Sequence, residues 1–195
     1  MLLNRYIYRH FISALLVSLL YLLSYSIVFG FSKAEATLNP YVQFVSIIFL
    51  PHGIRVLTTL IFRSLSAFFY LLCAGIITQF FFVGFNQETG MIIQFMPLLI
   101  GAISAPLAFS LVSFSIGKDR TYLEKPDTRS WRVLTILTLT SAAINGFGQT
   151  VVTELNGNEI PTMKIQLTFI LGDTIGTLIV LLSAYLVIRF RSMKN

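Results

Sequence analysis

One carboxyl group lies deep inside an apolar stretch of this chain: Asp173, in Leu171-Gly172-Asp173-Thr174-Ile175-Gly176-Thr177. In hydrocarbon such a group must be satisfied by a neighbouring helix or by enclosed water, so its default reading is functional. Gly172 and Gly176 share a helix face that lets another backbone approach closely, and Asp173 and Thr177 share the adjacent face. A polar site in the core of a bundle can be built in this way; the plainer alternative is that Asp173 caps or pairs with a neighbour to fix packing. A second constellation is Phe49-Leu50-Pro51-His52-Gly53-Ile54-Arg55. Pro51 removes a backbone donor and Gly53 relaxes the local backbone, which predicts a kink or a broken helix near mid-membrane. His52 and Arg55 can each donate to a freed carbonyl or to a carboxylate. The plainer alternative is a packing kink, with Arg55 snorkelling towards head groups.

The elements that must position these groups are six apolar stretches. A span needs about 20 residues, because about 30 Å of hydrocarbon is crossed at about 1.5 Å per residue. The spans fall at about 11–31, 41–62, 65–85, 91–116, 131–152 and 165–188. The expected fold is a single all-α domain over residues 1–195, a polytopic bundle of six transmembrane helices whose second helix is broken near Pro51. Counting from the outer ends, Asp173, Asn145 and Gln79 lie about 12 Å deep, His52 about 16 Å and Arg55 about 21 Å. His52, Gln79, Asn145 and Asp173 are therefore expected to form one polar layer, with Gln149 one turn further out on the Asn145 face and Arg55 reaching up from below. That layer is expected to line a ligand pocket open to the outer side.

Composition supports this reading: 55% of residues are hydrophobic, 11% are charged, and the mean hydropathy is +0.80. A soluble surface of ordinary polarity cannot cover such a chain. The spans leave no segment long enough for a soluble catalytic domain of about 100 residues. The net charge of +6 is explained by Lys and Arg beside anionic head groups, so no nucleic acid partner is expected.

Charge placement sets the orientation, since basic residues are retained on the cytoplasmic side. With the N terminus inside, Arg5, Arg9, Arg55, Arg63, Lys118, Arg120, Lys125, Arg129, Arg132, Arg189, Arg191 and Lys194 fall at cytoplasmic ends, and only Lys33 and Lys164 fall outside. A bacterial inner membrane with both termini cytoplasmic is expected. Arg5 and Arg9, an apolar run and Ala34-Glu35-Ala36 also fit a cleavable signal peptide, which would leave five spans.

Several features carry little chemistry. His10 and His52 form no metal-binding pattern, and Cys73 reads as a small packing residue. Without a phosphate-binding loop or nucleophile elbow, neither enzyme activity nor a cofactor is expected. Gly101, Ala105 and Pro106 predict a tightly packed, irregular fourth span.

Phe49-Leu50-Pro51-His52-Gly53-Ile54-Arg55 resembles the Pro-x-Gly-(Ile/Leu)-x element in an early span of bacterial membrane-associated sensor domains of the MASE class. It is also similar to the corresponding stretch in the membrane part of the hexose-phosphate sensor kinase. Leu171-Gly172-Asp173-Thr174-Ile175-Gly176 resembles the Gly-Asp-(Ala)-(Leu/Ile)-Gly element in a late span of that class. The resemblance implies an integral membrane sensory module, normally fused to a histidine kinase or a diguanylate cyclase. This chain departs from the pattern by ending at Asn195 without an output domain and by having fewer spans than the usual eight. A stand-alone sensor-like module is expected, recognising a small ligand or membrane partner and relaying through a separate membrane or cytoplasmic protein. Two alternatives stay open. Six spans also resemble the substrate-capturing subunits of vitamin transporters, with Ala14 and Ser18 available for docking; an accessory subunit of a larger membrane complex fits as well.

Overall fold

The computed structural model describes residues 2–36, 48–82, 91–116, 128–155 and 162–192. They form an all-α assembly of six helices: α1 (Leu2–Ala36), α2 (Leu50–Phe62), α3 (Ser64–Phe82), α4 (Met91–Ile116), α5 (Thr128–Leu155) and α6 (Thr162–Ser192). The shortest helix, α2, is the hub. It packs against each of the other five, which follow one another around it in the order α1, α3, α4, α5, α6. This placement explains why Pro51, His52, Gly53, Ile54, Arg55, Val56, Thr58 and Thr59 are all buried.

Side-chain contacts give the helix directions. His10 hydrogen-bonds Tyr70 near the start of α3, while Phe29 packs on Phe82 at its end, so α1 and α3 run parallel. Trp131 at the start of α5 packs on Tyr185 late in α6, and Gly146 approaches Gln166 and Ile170; these two run antiparallel. The start of α2 is tied to α6 by a backbone hydrogen bond from Phe49 N–H to the Gly172 carbonyl, 3.0 Å.

Four segments are long and apolar enough to cross a membrane: Tyr8–Gly30, Leu65–Phe82, Gln94–Ile116 and Gln166–Val187. Near Pro51 the described residues show the start of a helix rather than a break within one. Ile48 and Phe49 are not helical and Pro51 lies in the first turn of α2, where a missing N–H leaves no helical hydrogen bond unmade. Residues 41–47 of the expected second span lie outside the described residues, and the thirteen residues of α2 cover only about 20 Å. The other helix outside those four, α5, is long but interrupted by polar residues. Its Thr138, Ser141, Asn145 and Thr150 are buried, while Ile136, Leu139, Phe147 and Val151 are exposed.

That inversion runs through the molecule. Leu15, Leu19 and Leu23 on α1, Phe80 and Phe81 on α3, and Leu171, Leu178 and Leu182 on α6 face outwards. Ser18, Ser24, Thr58, Thr78, Ser104 and Thr177 face inwards. In water such an exterior would be a large association surface, whereas in hydrocarbon it is the solvated one. Many inward hydroxyls are satisfied within their own helices, as in Thr59 to the Arg55 carbonyl and Thr78 to the Ala74 carbonyl, each 2.8 Å. Cys73, expected as a packing residue, is exposed, because Tyr70, Leu71 and Ala74 occupy the inward face of α3.

Two prolines, Pro97 and Pro106, interrupt the hydrogen-bond ladder of α4. The Pro106 carbonyl accepts a hydrogen bond from the Ser110 hydroxyl one turn later, 2.9 Å. Between α2 and α3 a single residue, Arg63, reverses the chain at φ 62°, ψ −177°, a conformation that favours glycine.

Candidate functional site

The polar residues from four helices join into one chain of contacts. From α1, the Tyr21 hydroxyl accepts hydrogen bonds from Arg55 Nε (3.1 Å) and Nη2 (2.5 Å). Arg55 Nη1 donates to Asn145 Oδ1 on α5 at 3.3 Å, and Asn145 Nδ2 donates to Asp173 Oδ2 on α6 at 2.6 Å. His52 on α2 places Nδ1 3.3 Å from the same Asp173 oxygen, although off the line of a hydrogen bond. Its Nε2 is 3.0 Å from Ser141 Oγ on α5. The chain thus reads Tyr21, Arg55, Asn145, Asp173, His52, Ser141.

Local backbone features make these distances possible. Gly176 lies directly against the backbone of Phe49 and Leu50, and a Cβ on Gly53 would fall 2.8 Å from the Gly176 carbonyl oxygen and 2.7 Å from Val180. Close approach of α2 to α6 therefore needs both glycines, and it brings His52 to Asp173. Gly101 on α4 makes room for the Arg55 guanidinium: a Cβ there would fall 2.6 Å from Nη2. The guanidinium is further held against the Tyr21 ring (5.5 Å) and the Phe49 ring (5.6 Å), a favourable arrangement for a desolvated cation.

A cavity of about 230 Å³ opens beside this chain. Arg55, Asn145, Gln149, Gln79 and Thr78 supply its polar lining, and Tyr21, Tyr25, Phe49, Pro97, Leu98 and Phe169 much of the rest. Gln149 is held on the wall by a hydrogen bond to the Pro97 carbonyl (3.1 Å), with a second, 3.5 Å contact to Asn145 Oδ1. Pro106 has its carbonyl bound by serine, but the Pro97 turn presents its carbonyl to Gln149, tying α4 to α5.

The expected polar layer is thus assembled but divided. His52, Asn145 and Asp173 meet as the depth count implied, and Gln79 and Gln149 lie near them on the cavity wall. His52 and Asp173 do not line the cavity; both are fully buried behind Asn145, because the close α2 and α6 contact seals them. Thr177 is buried beside Asp173, but its hydroxyl is spent on the Asp173 backbone carbonyl, 2.7 Å. Arg55 does not snorkel outwards: it is buried and bonded inwards. Tyr21 and Ser141 were not among the candidates. Tyr21 stands about ten residues inside the first span, too deep for an interfacial tyrosine, and that depth was the available signal. Ser141 lies one turn before Asn145 on the same helix face.

Chemically, the arrangement fixes hydrogen-bond donors and acceptors from four helices relative to one another. Among the described residues no cluster suited to a metal ion occurs. No family model, curated protein or solved structure matches the chain.

Proposed function

We propose that the chain is a six-span inner-membrane protein of a bacterium, with both termini cytoplasmic, which recognises a small molecule in the cavity beside Arg55 and relays its presence to a separate protein. It binds and performs no chemistry of its own. The observation that carries the reading is the cavity itself, which sets one buried cation, three amide side chains and several aromatic faces around a partly open space between helices. Few precisely placed polar groups in an otherwise apolar concavity are the usual make-up of a ligand site.

Six crossings are supported by the outward apolar face of α5 and by the helix directions: α1 runs parallel to α3, α2 parallel to α6 (Phe49 at Gly172, Gly53 at Val180) and α5 antiparallel to α6. These set Arg9, Arg63, Arg132 and Arg189 towards one end of the bundle, as cytoplasmic retention of basic residues requires. The sensor-like role rests on the resemblance of the Pro51 and Asp173 segments to membrane-associated sensor domains. Docking in the manner of a transport subunit has less support, because Ser18 is buried and Ala14 packs against the core formed with Tyr21 and Tyr70.

The test is mild-detergent purification of the tagged native protein, with mass spectrometry of retained small molecules and co-purifying proteins. A retained small molecule together with a signalling enzyme, both lost on Arg55→Gln, is the expected result. An ATPase-containing assembly would replace sensing with transport, and a constant complex without a small molecule would make the chain an accessory subunit.

A further inference from the structure

The cavity's charge and size define what it takes, on the premise that it is a ligand site. Arg55 carries five N–H donors, and the structure gives acceptors to three contacts: two on the Tyr21 hydroxyl and one on Asn145. Both of these acceptors are neutral. Among the described residues no carboxylate lies within 4 Å of the guanidinium; Asp173 is separated from it by the Asn145 amide and faces His52. A buried cation with no carboxylate in direct contact is costly, and here it stands on the wall of a cavity.

We infer that the cavity binds a small monocarboxylate with a flat apolar body, its carboxylate on the free edge of the Arg55 guanidinium. One anionic charge matches the single cation on the wall, whereas a phosphate dianion would bring a second charge that no lining residue neutralises. The planar fork of an arginine is also suited to a carboxylate. The rings of Tyr25, Phe49 and Phe169 with Leu98 supply apolar walls for the body of the ligand. Gln149 and Thr78 on the same wall can meet one polar substituent. A volume of about 230 Å³ is below the roughly 300–1,000 Å³ of sites for drug-sized molecules, which fits a ligand with about one ring.

The experiment is calorimetric titration of the full chain in lipid nanodiscs with three probes: 4-hydroxybenzoate, the neutral isostere 4-hydroxybenzamide and inorganic phosphate. The expected result is saturable binding of the acid, at least tenfold weaker binding of the amide and no competition by phosphate. Arg55→Gln should abolish the preference for the acid. The acid and amide comparison needs no substitution, so it stands even where Arg55→Gln fails to fold. Equal binding of acid and amide would overturn the monocarboxylate assignment while leaving the cavity as a ligand site, and so would tighter binding of phosphate. No binding of any probe to folded protein also overturns it, and the ligand-site reading falls with it only where the native purification retains no small molecule.

Discussion

The two halves of the Tyr21 to Ser141 chain share one residue, Asn145, and differ in almost everything else. On one side His52, Asp173 and Ser141 are sealed between α2, α5 and α6, each with no exposed surface. On the other, Arg55, Gln149 and Tyr21 face a cavity. The sealed half is held by backbone approach at Gly53 and Gly176, and the open half by side chains and aromatic faces. Buried polar groups that are fully enclosed specify how helices pack, while polar groups on a cavity wall are free to meet a ligand. Polarity in a membrane segment thus has two uses, and access decides between them.

The comparison breaks most visibly at Asp173. Asp173→Ala removes the acceptor of Asn145 Nδ2 and the neighbour of His52 Nδ1, and it should destabilise the bundle by about 3 kcal/mol, measured by reversible denaturant unfolding in mixed micelles. Asp173→Asn, which keeps an oxygen there, should cost about 1 kcal/mol. If Asp173→Ala unfolds like the parent and only ligand retention falls, the sealed half is not structural. Next comes Gly176→Ala. The added methyl meets the Phe49 and Leu50 backbone, which cannot rotate away, and about 2 kcal/mol of destabilisation is expected in the same assay.

A methyl at Gly101 separates the halves in the opposite sense. It meets the flexible end of Arg55 rather than backbone, so Gly101→Ala should leave stability within about 1 kcal/mol and weaken retention of the native ligand about tenfold, equivalent to about 1.4 kcal/mol. Equal losses of stability in Gly101→Ala and Gly176→Ala would erase the distinction. The smallest effect lies away from both halves: Arg63→Gly relieves the φ 62° turn and should stabilise by about 1 kcal/mol, with ligand retention unchanged.

Much of the candidate site was legible in the chain because lipid makes polar residues conspicuous. Asp173, His52, Arg55 and Asn145 stand out against apolar neighbours, and a count of about 1.5 Å per residue sets them at similar depth. Depth alone does not give azimuth. Whether a side chain at a given level points to a partner, to a cavity or to lipid depends on helix rotation, which is why depth does not single out Tyr21 and puts His52 on the pocket wall. Cys73 reads as a packing residue for the same reason, since composition does not tell the inward face of α3 from the outward one.

The sequence by itself determined that the chain is helical and apolar, and where its polar groups lie along each helix, because hydrocarbon demands that backbone groups be satisfied within the segment. Tertiary structure decided that the shortest helix is the hub, that Asn145 joins the two halves, and that Arg55 rather than Asp173 faces open space. Those outcomes depend on which helix faces meet. Two glycine contacts and a proline-started helix settle that, through distances of a few ångströms that no linear pattern encodes.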